Sequence, residues 1–147
     1  MSQLVLDASV AVKWFLPPKD EDLIPEALHL LQRHLKGTVQ FLVPDLFWVE
    51  FASAGWKAVR RGRWEPFDAT RALAKVLSYR LPTFPTDQLV GQAFDIASTQ
   101  NRAIYDSVYI ALAQQSRCEM ITADERLVNA LGSRFPVRWL GSFQQMH

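Results

Sequence analysis

Apolar and polar positions fall in blocks along this chain, and the blocks set out its elements. Leu4-Val5-Leu6 is a continuous apolar run that stops at Asp7, which predicts a short buried strand. Ala8 to Leu16 then reads as a short helix stopped by Pro17-Pro18. Asp20 or Asp22 is expected to cap the next helix, which carries Pro25 in its first turn and Ala27, Leu28, Leu31 and Leu35 along one face up to Gly37. Val39 to Val43 predicts a second buried strand, and after Pro44-Asp45 a helix runs from about Leu46 to Arg60-Arg61-Gly62, where glycine offers a C-terminal stop. Helical spacing returns between Pro66 and Tyr79, so these two long helices form a hairpin-like arm.

Leu81 to Pro85 is too proline-rich for a central strand and predicts an edge strand or an extended link. Thr86 or Asp87 then caps a helix reaching Gln100-Asn101, and Asp106 opens the apolar helix Ser107 to Gln115. Glu119 to Thr122 predicts a strand, Asp124 to Leu131 a helix ended by Gly132, and Val137 to Leu140 a last strand. Strands alternating with helices imply an α/β fold with a mainly parallel sheet.

The 147 residues suit one domain, residues 1–147, large enough for a proper core. Hydrophobic residues at 49% and charged residues at 21% place the chain among globular proteins. Sixteen basic against fifteen acidic residues leave a net charge of +1, so any nucleic-acid binding must be organised locally. Cys118 has no partner for a disulfide and is expected to be a small buried hydrophobe. The N-terminus lacks a secretory pattern and no apolar run is long enough for a membrane span, so a cytoplasmic protein with no membrane partner is expected. His29, His34 and the terminal His147 lack metal-ligand spacing.

Four acids carry the candidate chemistry. Asp7 and Asp124 follow predicted strands, Asp106 opens a buried helix, and Glu50 lies inside the helix after the second strand. Ligand sites of open parallel sheets lie beyond the carboxyl ends of the strands, which brings these four onto one rim. Two unit charges at about 4 Å repel by roughly 4 kcal/mol even at an effective dielectric near 20, so such a cluster calls for a cation or protons. Each acid also has an ordinary role: Asp7, Asp106 and Asp124 as helix caps. Glu50, set among Phe47, Trp48, Val49 and Phe51, is the hardest to explain as structure alone.

The segments Val5-Leu6-Asp7-Ala8-Ser9-Val10, Pro44 through Glu50, Tyr105-Asp106-Ser107-Val108-Tyr109-Ile110-Ala111-Leu112-Ala113 and Ile121-Thr122-Ala123-Asp124-Glu125-Arg126-Leu127 resemble the successive motifs of a PIN domain. The compact length and the two-helix arm resemble, more narrowly, a VapC-type toxin of a toxin–antitoxin pair. That resemblance implies a three-layer α/β/α fold with a central sheet flanked by helices. It also implies a Mg2+- or Mn2+-dependent endoribonuclease, a cognate VapB-like antitoxin and a homodimer. Carried across, Asp7, Glu50, Asp106 and Asp124 form the acidic quartet, with Asp7 and Asp106 as direct metal ligands and Glu50 and Asp124 acting through waters or a second metal. Ser9 and Thr122 match hydroxyl positions beside the quartet, although each also suits a cap or a strand end.

The run from Trp56 to Trp64 gathers Lys57, Arg60, Arg61 and Arg63 near the tip of the arm. It suits RNA phosphates and unpaired bases, a solvated helix end, or contact with the antitoxin. Trp14, Phe15, Trp48 and Phe51 line either a dimer face or the core, and Lys13 is expected at the surface. Two alternatives to a nuclease are a binding module of the same fold without turnover and, less well supported, a phosphatase, for which Asp7-Ala8-Ser9 lacks a second aspartate.

Overall fold

A computed structural model describes residues 2–19 and 21–145. Met1, Asp20, Met146 and His147 lie outside the described residues, and with them the expected cap at Asp20. Strand β1 (Ser2–Leu6) is the centre of a five-stranded sheet in the order β3-β2-β1-β4-β5, formed with β2 (Val39–Pro44), β3 (Thr83–Phe84), β4 (Glu119–Thr122) and β5 (Val137–Trp139). Every neighbouring pair is parallel. Val5, Leu6, Phe41, Val43, Met120 and Ile121 are fully buried, as continuous apolar strands covered on both faces must be. The proline-rich segment supplies β3 at an edge, where a missing N–H costs nothing.

Among the described residues seven α-helices connect the strands: α1 (Ala8–Ala11), α2 (Ile24–Leu35), α3 (Leu46–Arg60), α4 (Pro66–Ser78), α5 (Val90–Gln100), α6 (Ile104–Ser116) and α7 (Glu125–Leu131). The chain winds outward from β1 through β2 to β3, then crosses back to β4 and β5 on the other side. Right-handed crossovers put the two sets of connections on opposite faces, giving three α/β/α layers. The strand order reverses between β1 and β4, so the sheet opens a crevice at their carboxyl ends. No helix of the described residues is long and apolar enough to cross a membrane.

Helices α3 and α4 form the expected hairpin, with Gly62 at φ +74° in the turn after α3. The Trp64 ring lies against α3 at Gly55, where even a Cβ would stand at ordinary contact distance, 3.4 Å. Trp64 is therefore buried, its indole N–H donating to the Phe15 carbonyl at 3.1 Å, and does not belong to an exposed basic patch. Trp14 and Phe51 are also core residues; Trp14 donates to the Ala27 carbonyl and its ring lies 5.7 Å from that of Phe41.

Several expectations are corrected. The helix after Asp7 is only one turn, tightening into a 3-10 turn at Val12–Trp14. Asp22 does not cap α2: Leu23 occupies the N-cap position, in the left-handed region at φ +59° and with no side-chain capping bond, and the Asp22 carboxylate accepts from Lys13. Neither Thr86 nor Asp87 caps α5, since they lie in a 3-10 turn and the Thr86 hydroxyl donates to Asp45. Lys13 is not a surface residue. It is 5% exposed, and its Nζ donates to Glu21 Oε2 at 2.5 Å, to Asp22 Oδ1 at 3.0 Å and to the Asp22 carbonyl at 2.8 Å. Arg63 joins the same group through Glu21 at 3.2 Å, tying the loop after α1 to the arm.

Without Lys13, Glu21, whose side chain is only 14% exposed, has Arg63, at 3.2 Å, as its remaining cation, while Asp22 turns to solvent. Lys13→Ala is therefore expected to lower unfolding stability by about 2 kcal/mol in urea titrations, less than the loss of a buried charge's sole partner. A loss within the range of surface pairs, under about 1 kcal/mol, would refute that role.

Candidate functional site

Asp7 sits directly beyond β1, at the start of α1, and β4 lies beside it with Leu6 level with Ile121. Its carboxylate makes no capping bond to the helix. Instead Oδ2 accepts from the Ser9 hydroxyl at 2.7 Å and from the Thr122 hydroxyl at 2.8 Å. Each hydroxyl also accepts a backbone N–H, Ser9 from Ala123 and Thr122 from Asp124, both at 3.1 Å. Two hydroxyls thus lock the ends of β1 and β4 together across the crevice and fix one oxygen of Asp7. Burial pushes the Asp7 carboxyl above its ordinary range, against the pull of these two hydrogen bonds.

Asp106 stands in the first turn of α6, whose N-cap is Ala103, so the capping role expected for this aspartate is not the one it has. Burial first, then the charges of Asp7 and Asp124, raise its pKa to about 6, with Arg102 pulling the other way. Glu50 reaches the same place from α3. Burial raises its carboxyl, a hydrogen bond from Tyr109 opposes that, and Asp7 and Asp106 add to the rise. Asp124 does cap α7, its Oδ1 accepting from the N–H groups of Arg126 at 3.1 Å and Leu127 at 3.3 Å. It nonetheless lies close enough to Asp106 to repel it. The four acids predicted from sequence are thus gathered as one electrostatic group on a single rim.

The donor set is hard oxygen throughout, which matches Mg2+ or Mn2+ and not a soft ion. Among the described residues no three acidic side chains converge tightly enough to enclose an ion by themselves. Magnesium does not need such a cage, since it keeps several waters and takes one or two carboxylates plus substrate phosphate. The mutual repulsion that raises Asp106 is the charge excess a divalent cation would relieve.

Tyr109 is the residue that sequence reasoning missed. Its phenol donates to Glu50 Oε1 at 2.6 Å, and it follows Asp106 by three positions on α6, the spacing that puts both on one helix face. That spacing from a candidate ligand was the available signal. Cys118 is half-buried, not fully buried as expected, and burial pushes its thiol above the ordinary range. His34 stacks on Phe41 at 4.9 Å, away from any ligand role.

The basic candidates divide. Arg63 is engaged by Glu21, whereas Arg60 and Arg61 are exposed at the end of α3. Ten residues of helix place Arg60 about 15 Å along α3 from Glu50. Trp56 stands 60% exposed on the same helix. A cleft of about 920 Å³ opens between the Pro17-Pro18 loop and the arm, floored by Phe15, Leu16 and Trp64, with Arg63, Arg71 and Lys75 also lining it. None of the four acids lines it.

A sequence model of the PIN domain matches residues 4–131. Ribonuclease VapC9 of Mycobacterium tuberculosis is 30% identical over 105 residues, 71% of this chain and 81% of that protein. The crystal structure of PAE2754 from Pyrobaculum aerophilum is similar with a TM-score of 0.66 at 22% identity, covering 96% of this chain and 85% of the other. A chain of a toxin–antitoxin complex from Klebsiella pneumoniae gives a TM-score of 0.64 at 16% identity, covering 92% and 95%. At these identities the two structural likenesses speak for the fold alone.

Proposed function

The chain belongs to the PIN domain family, and on that footing we propose that it is a metal-dependent endoribonuclease, the toxin of a VapBC-type toxin–antitoxin pair. One observation carries the chemistry: beyond the carboxyl ends of the strands, burial first and then the charge of Asp7 raise the carboxyls of both Glu50 and Asp106, while Asp106 adds its charge to that on Glu50 and Asp124 adds its charge to that on Asp106. A binding module without turnover needs no such repulsion, and a costly cluster of this kind is characteristic of a working site.

In this assignment Asp7 and Asp106 are the direct ligands, and Glu50 and Asp124 act through waters or a second ion. A bound Mg2+ or Mn2+ supplies charge for the scissile phosphate and makes water a better nucleophile for in-line attack. Ser9 and Thr122 hold Asp7 Oδ2 by two hydroxyls, which leaves Oδ1 as the oxygen they do not engage. Asp124 commits Oδ1 to capping α7, so its Oδ2 is the atom left to serve the rim. Arg60, Arg61 and the exposed Trp56 suit the RNA strand beyond the cut, by phosphate pairing and base stacking.

The partner is a cognate antitoxin, a role supported by the likeness to VapC ribonucleases and by the apolar, cation-lined cleft beside the arm. A homodimer is supported by large apolar side chains left uncovered, among them Val49, Phe67 and Phe94. The cytoplasm, where RNA is the substrate, is the proposed compartment.

Purified protein incubated with cellular RNA and Mg2+ is expected to produce internal cuts, and the antitoxin from the adjacent reading frame is expected to suppress them. Intact RNA after prolonged incubation with Mg2+ or Mn2+, from protein shown to be folded, would instead favour the binding module.

A further inference from the structure

We propose that Tyr109 is a positioning residue that fixes the Glu50 carboxylate over the acidic rim and acts on the metal site only through Glu50. This rests on the nuclease assignment above and names a residue that the assignment does not use. The tie is short, 2.6 Å from the phenol Oη to Glu50 Oε1, and Tyr109 is 1% exposed, so water does not compete for it. Tyr109 and Asp106 share a face of α6, whereas Glu50 arrives on α3, so the bond joins two elements that supply the site.

Without the bond, Glu50 has reason to leave. Asp7 and Asp106 both repel it, and its long side chain, on a residue only partly buried, can swing outward at little cost. The phenol also lies beside the Ala8 N–H and the Asp7 charge, at the first turn after β1. A phenol keeps its proton at neutral pH, so Tyr109 is the donor of this bond and Glu50 the acceptor. One oxygen of Glu50 is thereby committed to the protein and the other is left for a water of the metal site.

A buried tyrosine also needs an acceptor for its hydroxyl, so a purely structural pairing has to be separated from positioning. Mn2+ affinity measured by calorimetry and by electron paramagnetic resonance separates them, using Tyr109→Phe, Glu50→Gln and the double variant. Tyr109→Phe is expected to weaken Mn2+ binding about 10-fold and to raise by the same factor the Mg2+ needed for half-maximal RNA cleavage, with the rate recovering at saturating Mg2+. In the Glu50→Gln background the same change should alter Mn2+ affinity by less than about 2-fold, because the residue it acts through has already lost its charge.

Glu50→Asp gives an independent check that leaves Tyr109 in place. Its shorter side chain cannot span the same distance, so it should reproduce the loss of Mn2+ affinity, and adding Tyr109→Phe should do nothing more. Unchanged Mn2+ affinity in Tyr109→Phe, or an equal loss with and without the Glu50 carboxylate, overturns the proposal. Wild-type protein that takes up no Mn2+, or whose uptake is indifferent to Asp7→Asn, overturns the nuclease assignment and the positioning role together.

Discussion

Asp7→Asn is expected to reduce RNA cleavage by at least about 10³-fold while the metal-free protein melts no lower than wild type. The size of the loss follows from where the two hydroxyls point. Ser9 and Thr122 both donate to Oδ2, at 2.7 and 2.8 Å, so an asparagine must turn its carbonyl oxygen toward them. Its amide NH2 then occupies the place of Oδ1 and presents donors where a cation needs an acceptor. The substitution thus removes a charge and also reverses the polarity of the remaining atom. Stability moves the other way, because a carboxylate raised by burial costs folding energy when ionised and an amide does not. Cleavage by purified, folded Asp7→Asn protein at the wild-type rate would sink the assignment of Asp7. A loss accompanied by unfolding in circular dichroism would mean only that the β1–β4 lock had been broken, and Ser9→Ala, which loosens that lock but keeps the carboxylate, distinguishes the two outcomes.

The order of elements was legible because apolar blocks, proline and glycine act locally. Leu4 to Leu6 had to be a covered strand, and Pro44-Asp45 had to end β2 just before a helix. The four acids were legible for the same reason, each at an element boundary or set oddly among aromatics. What the pattern did not show were long-range partnerships. Lys13 looks like an ordinary solvated lysine in its own segment; it is buried because Glu21 and Asp22 fold back over it from the loop beyond the prolines. Tyr109 looks like one more core aromatic in an apolar helix, and only the approach of α3, 59 residues earlier in the chain, gives its hydroxyl a partner. Trp64 likewise reads as part of a basic surface run until the turn after α3 folds its ring back against Gly55 and its N–H onto the Phe15 carbonyl. Asp124 was harder in a different way, since cap and site residue are compatible: one oxygen can do the first and the other the second.

Removing divalent metal is expected to abolish cleavage altogether, and the way activity returns should depend on pH in a direction fixed by Asp106. Its carboxyl is raised from 3.8 to about 6 in the metal-free protein, so below about pH 6 a proton occupies the place a cation would take. Metal binding must then displace that proton, and the apparent affinity should fall as much as about 10-fold per pH unit on the acid side. With limiting Mg2+ after EDTA treatment, cleavage should therefore decline below about pH 6, and raising Mg2+ should carry the acid limb to lower pH. Stability gives the complementary sign. The folded state binds more protons than the unfolded chain between about pH 4 and pH 6, so the contribution of Asp106 to stability falls as pH rises through that window and stays lost above it. Asp106→Asn should accordingly melt higher than wild type at pH 7.5 without metal, and the gap should close toward pH 4. Adding Mn2+ should also close it, by stabilising wild type and not the variant, since a ligand shifts only the state that binds it. Equal melting temperatures at pH 7.5, or an acid limb indifferent to Mg2+ concentration, would remove Asp106 from the metal site whatever the cleavage assays showed.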